Sequence, residues 1–149
     1  MLQAQYKDLL QHPDIRFDVP ENGGYIEVKD AATHDTLAWV KSHDRASVEQ
    51  VIARSQKAQT AWKAQTALQR ADVLWAWFDL MQENKESLAQ ILTAEQGKPL
   101  AEARGEIGYA ASFIRWFAEQ ARRIDGEVLT PTLQNQRLLV STPAMSRIH

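Results

Sequence analysis

The sequence predicts a mostly helical chain that opens with a short β-hairpin and closes on a strand. Three observations carry this. Apolar residues recur at three- and four-residue spacing through most of the stretch from Ser47 to Ile124. Two short runs with strand character flank a polar connection ahead of that stretch. An extended run ending in Leu138-Leu139-Val140 follows it.

The first element is a polar lead-in from Met1 to Pro20. Leu2, Tyr6, Leu9 and Leu10 are loosely amphipathic there, and His12-Pro13 ends any short helix. Asn22-Gly23-Gly24 signals a turn. Tyr25-Ile26-Glu27-Val28 and Thr36-Leu37-Ala38-Trp39-Val40 then read as two strands, joined by Ala31 to Asp35. Ser47-Val48-Glu49-Gln50 has the pattern of a capping box, and Val51, Ile52, Ser55, Ala58 and Trp62 follow at helical spacing. Thr66-Ala67-Leu68-Gln69 repeats that start signal for a second helix. Its stripe of Leu74, Phe78, Met81, Leu88 and Leu92, with Trp77 and Ile91 beside it, is wide enough to need a packing partner.

Gly97 and Lys98-Pro99 stop the second helix, because Gly takes the left-handed closing position and Pro cannot continue the hydrogen-bond ladder. Pro99 equally suits the first position of a third helix, along which Ile107, Ala110, Ile114, Phe117, Ala121 and Ile124 recur. Gly105 and Gly108 inside it each cost ~1 kcal/mol against Ala unless they permit a close approach. Asp125-Gly126 ends it, and Val128 to Val140 is read as extended. The organisation is a lead-in over 1–24, a hairpin with three helices over 25–126, and an arm with a tail over 127–149.

Composition narrows the function classes. A length of 149 residues suits one ordinary domain, and 44% hydrophobic residues argue against a wholly disordered chain. Lys and Arg number 17 against 19 Asp and Glu, a net charge of −2 that gives no field for nucleic acid or an anionic membrane. There is no cysteine, so this chain forms no disulfide, thiolate metal site or thiol nucleophile. No apolar run approaches the roughly 20 residues that cross a bilayer, and the N-terminus lacks a signal-peptide core. A cytoplasmic location is expected.

The stretch from Thr93 to Gly126, TAEQGKPLAEARGEIGYAASFIRWFAEQARRIDG, resembles the aldehyde dehydrogenase superfamily. Within it, Glu95-Gln96-Gly97-Lys98-Pro99-Leu100-Ala101-Glu102-Ala103 is similar to the succinate-semialdehyde branch. Trp62, Arg70 and the strand Arg137-Leu138-Leu139-Val140 support the resemblance, which runs from about Tyr25 to Pro143. Asp30-Ala31-Ala32-Thr33-His34-Asp35 resembles the family's Asn-Pro-Ala-Thr-Gly-Glu turn, with Ala31 where Pro is usual. After Pro143 the family pattern toward a Pro-Trp-Asn-Phe turn is replaced by Ala144-Met145-Ser146-Arg147-Ile148-His149. That abrupt change suggests a frameshift or premature stop, which the nucleotide sequence downstream tests.

The resemblance implies an α/β fold of the aldehyde dehydrogenase type, present only as its N-terminal part. Residues 25–126 would form the outer helical layer of the NAD(P)-binding domain, covering a parallel sheet that comes later in the family's sequence. Residues 127–149 would begin the oligomerisation arm. The implied reaction is oxidation of succinate semialdehyde, or a related aldehyde, to the acid, with NAD or NADP as hydride acceptor. The family's nucleophilic Cys, general-base Glu, oxyanion Asn and Gly-rich cofactor turn have no counterparts here, so no catalytic or cofactor-binding residue is assigned. A thiolate is needed for the thiohemiacetal that gives up the hydride, so the chain alone is expected to be inactive and to bind no cofactor. The helix matching Glu106 to Ile124 borders the family's substrate entrance tunnel, which makes Tyr109 and Phe113 the candidate tunnel-lining residues.

Other candidates have plainer readings. Gly97-Lys98 lacks the spacing of a phosphate loop and reads as a helix-to-helix turn. Glu102 and Glu106 share a helix face without a His at helical spacing, so a solvated acidic face is preferred to a metal site. His34-Asp35 and His43-Asp44 fall in loops with no nucleophile pattern nearby. Trp75, Trp77 and Phe78, and Phe113, Trp116 and Phe117, read as packing aromatics. Arg115, Arg122 and Arg123 suit either anion binding or the helix dipole, the dipole being preferred. With the sheet absent, the stripes containing Leu74, Phe78, Met81, Ile114 and Phe117 have only one another to cover them, so self-association or homo-oligomerisation is expected. The unpaired edge of the Val128–Val140 strand adds to that expectation. A non-catalytic helical module docking onto a partner chain is the alternative, followed by a structural or regulatory helical protein.

Overall fold

The computed structural model describes residues 4–21 and 23–141. Leu2 of the lead-in, Asn22 of the first turn and the tail at 142–149 lie outside the described residues. The order of elements is α1 (Ala4–Leu9), β1 (Ile15–Arg16), β2 (Tyr25–Lys29), β3 (Thr36–Lys41), α2 (Arg45–Ala64), α3 (Ala67–Glu83), α4 (Lys85–Gln96), α5 (Leu100–Gln120), β4 (Glu127–Leu129) and β5 (Leu138–Val140). Among the described residues no helix is long and apolar enough to cross a membrane.

The expected hairpin is present as β2 and β3, and the lead-in adds a strand that the sequence pattern does not announce. β1 pairs antiparallel with β3, giving a sheet in the order β1-β3-β2. Two residues are too short a run to show alternation, which is why Ile15-Arg16 reads as lead-in. The register places Val28 opposite Ala38 and Lys29 opposite Thr36, so Leu37 is an extra residue in β3. A bulge breaks the usual alternation of faces. Here it accompanies the burial of two consecutive side chains, Leu37 and Ala38.

The hairpin turn is built by Asp30. Its carboxylate accepts from Ala32 N–H at 2.8 Å and Thr33 N–H at 3.0 Å, which holds it below the ordinary carboxylate range, Thr33 contributing first. His34 takes φ 64° at the tip. Ala31 N–H donates to Ala94 O at 2.9 Å, satisfying a carbonyl in the last turn of α4 that has no intrahelical donor. The Pro usual at that turn position has no N–H to give. The departure at Ala31 therefore supplies the bond that docks the turn on α4.

Helix α2 starts before the sequence expectation. Asp44, not Ser47, is its cap: the Asp44 carboxylate accepts from Ser47 N–H at 2.8 Å. The short acidic side chain immediately ahead of Arg45 competes better for the free N–H groups than the hydroxyl three residues inside. No residue of α2 is buried. At α3 the capping box forms as expected, with Gln69 N–H donating to Thr66 Oγ1 and Thr66 N–H to Gln69 Oε1. Arg70 reaches back to Gln65 O at 3.2 Å, tying the α2–α3 corner.

The single helix expected from Thr66 to Gly97 is two helices. Asn84 closes α3 and opens α4, with its side-chain amide donating to Leu80 O at 2.8 Å. Asn side chains compete with the backbone ladder in this way, and the chain turns there although the apolar stripe continues. Gly97 closes α4 in the left-handed conformation, φ 73°, as expected, whereas Pro99, expected as the first residue of the next helix, is its N-cap and α5 starts one residue later. Helix α5 ends at Gln120, four residues before Ile124, so that residue leaves the stripe and is exposed. The arm is also corrected: in place of one strand from Val128 to Val140, β4 and β5 fold back as an antiparallel pair.

The core is small and rich in alanine. Ala103, Ala111 and Ala118 of α5 are buried against a surface that includes Ala71 of α3 and Ala89 and Ile91 of α4. Their spacing of eight and seven residues keeps them on one face, and their small side chains let the helix axes approach. A bidentate ion pair adds to the α4–α5 contact. Arg104 Nε and Nη2 each donate to a Glu86 oxygen at 2.7 Å, and Gln90 Nε2 donates to Glu86 at 2.9 Å.

Two expectations for measurement follow from this packing. Arg104, then Gln90, pull the Glu86 carboxyl from 4.5 to about 2. A carboxyl lowered on folding stabilises the fold above its ordinary value and loses that contribution as pH falls through the folded one. The urea midpoint should therefore drop between pH 4.5 and about 2, and Arg104→Ala should flatten that slope. An unchanged slope in the variant would remove Glu86 as its source. The second concerns Gly126, where an added Cβ would collide with the Val140 carbonyl oxygen. Gly126→Ala should open the β4–β5 pair, read as lost cross-strand proton contacts between Val128 and Leu139, with helix content unchanged.

Candidate functional site

Helix α5 is apolar on two sides, and the candidate site lies on the side turned away from the alanine face. At 100° per residue, Tyr109 and Trp116 fall opposite Ala103, Ala111 and Ala118, with Phe113 beside them and Phe117 about a quarter-turn from the alanine face. Tyr109 and Phe113, one turn apart, meet edge to face with ring centroids 4.8 Å apart at 82°. That arrangement sets the positive edge of one ring on the negative face of the other. Ser112 Oγ donates to Tyr109 O at 2.6 Å, turning its hydroxyl back onto the helix. The two tunnel candidates are thus together and accessible, Tyr109 67% and Phe113 47% exposed.

Phe113 also lines an open groove of about 500 Å³, together with Ser112, Arg115, Trp116, Phe117 and Glu119. Tyr109 stands beside this groove, outside its lining. Trp116 and Phe117, expected to pack, are 57% and 58% exposed. Trp77 on α3 is likewise outside the core, while Trp75 and Phe78 are half-buried and meet edge to face at 5.7 Å. The packing expectation therefore holds only for Trp75 and Phe78 among these aromatics. A sequence signal for the rest exists: 109, 113 and 116 share a face that excludes the buried alanines.

Arg115, Glu106, Asp35, His43 and Asp44 among the charged candidates are engaged in structural contacts. Arg115 lies with its guanidinium 5.9 Å from the Phe78 ring centroid and its Nε 3.8 Å from Glu119 Oε1. Arg122 and Arg123 follow the last residue of α5, where cations complement the carbonyl end of a helix. Lys98 pairs with Glu106 across the turn after Gly97, and Glu102 is exposed. Asp35 accepts from Thr33 Oγ1 at 3.1 Å, and His43 Nε2 lies 3.4 Å from Asp14 Oδ2. Ser47, through its side chain and then its backbone N–H, holds Asp44 below the ordinary carboxylate range. Among the described residues no group of three or more His, Cys, Asp and Glu could hold a metal ion.

The fold of this chain recurs in solved structures of one class of oxidoreductase. An aldehyde dehydrogenase from Brucella melitensis biovar abortus 2308 superposes with a TM-score of 0.75 at 46% identity, over 78% of this chain and 24% of that one. The succinate-semialdehyde dehydrogenase of Burkholderia pseudomallei gives 0.73 at 47% identity, over 77% and 24%. The model of the aldehyde dehydrogenase family matches residues 19–145, and the chain belongs to that family. Its relatives include the glutarate-semialdehyde dehydrogenase of Pseudomonas putida, 47% identical over 80% of this chain and 25% of that protein. The NADP-dependent succinate-semialdehyde dehydrogenase of Escherichia coli K12 is 45% identical over 80% and 25%. The chain thus spans about a quarter of the length of the relatives it matches. The fold expectation stands: an aldehyde dehydrogenase-type α/β fold represented by its mostly helical part.

Proposed function

We propose that this chain supplies the N-terminal helical layer of an NAD(P)-dependent semialdehyde dehydrogenase. The observation that carries the reading is 45–47% identity to two semialdehyde dehydrogenases over 80% of the chain. In this reading residues 25–126 cover the cofactor-binding domain and residues 127–149 begin the oligomerisation arm. The substrate is an aldehyde with a distal acid group, as in succinate or glutarate semialdehyde, and the product is the dicarboxylic acid. NAD(P), bound by the rest of the fold, accepts the hydride.

The part played by this chain is positioning. Tyr109 and Phe113 line the entrance by which the aldehyde reaches the thiol, offering apolar ring surface to its methylene groups. The chain holds no cysteine, so addition of a thiolate to the carbonyl takes place on residues outside it. In this reading the 149-residue chain alone is inactive for want of the thiol, and cofactor binding falls to the rest of the fold. The location that fits this reading is the cytoplasm.

The test joins this segment to the remaining family sequence and compares semialdehydes with uncharged aldehydes of equal length. Higher kcat/KM for the semialdehydes is the expected outcome, and equal use of both classes would sink the substrate assignment. Phe113→Ala in that enzyme should lower kcat/KM by about 10-fold, mostly through KM, the size of a lost apolar contact in a binding pocket. An unaltered KM would take Phe113 out of the tunnel. Formation of reduced nicotinamide by the purified 149-residue chain would contradict the assigned division of labour.

A further inference from the structure

We draw no further inference here: the strongest candidate, the exposed apolar side of α2 at Val48, Val51 and Ile52, has nothing in the structure to show what covers it.

Discussion

Gly97→Ala is expected to destabilise the chain by about 2 kcal/mol, chiefly because an L side chain in the left-handed region costs roughly 1–2 kcal/mol. Gly97 adopts φ 73°, and a Cβ there would meet the Ala31 Cβ at 3.1 Å. That second contact matters because Ala31 is not free to retreat: its N–H is held by Ala94 O at 2.9 Å. The substitution therefore strains the end of α4 and pushes the hairpin turn off it together. Urea unfolding followed by helical circular dichroism reads the effect as a lower midpoint. Gly105→Ala is the companion variant, since a Cβ at that helical position meets nothing within 4 Å. It should raise stability by ~1 kcal/mol, the difference between Gly and Ala inside a helix. If both variants shift the midpoint alike, the left-handed closure is not what Gly97 contributes.

The chain in isolation is expected to self-associate through the second face of α3 and α5, and replacing Trp77 and Trp116 together by Glu should abolish it. Trp77 is 55% exposed and Trp116 57%, with Val73 and Leu80 beside the first and Tyr109 and Phe113 beside the second. Covering the exposed half of a Trp stabilises an association by about 3 kcal/mol at ~25 cal/mol per Å². Charging the positions removes that gain and adds a desolvation cost. Sedimentation velocity over a range of concentrations should show the parent chain growing in mass and the double variant remaining a monomer of equal helix content. A parent chain that stays monomeric at every concentration would overturn the expectation.

These two expectations rest on residues whose roles differ in how far the sequence displayed them. Gly97 followed by Lys98-Pro99 was readable because closing a helix is a local act, completed within a few residues. Thr66 and Gln69 were readable for the same reason. Asn84 was not, because the apolar stripe runs through it and only the side-chain bond to Leu80 O marks the break. β1 escaped notice because two residues form a strand only by virtue of a partner in β3. The Tyr109–Phe113 pair follows from family resemblance alone, and its ring contact from a one-turn separation on α5. Glu86 and Arg104, eighteen residues apart on different helices, had no local sign at all.

The sequence by itself determined the helix start at Thr66, the start of α5 to within one residue of Pro99, the stop at Gly97, the β2–β3 hairpin and the family. Each of those depends on side chains acting on their own backbone or on a long matching pattern. Which apolar side of α5 would be buried was decided only by tertiary structure. Ala103, Ala111 and Ala118 go inward and the bulkier Tyr109, Phe113 and Trp116 stay out, because α3 and α4 approach closely only where the side chains are small. Periodicity marks both faces as apolar, and steric fit between helices chooses between them.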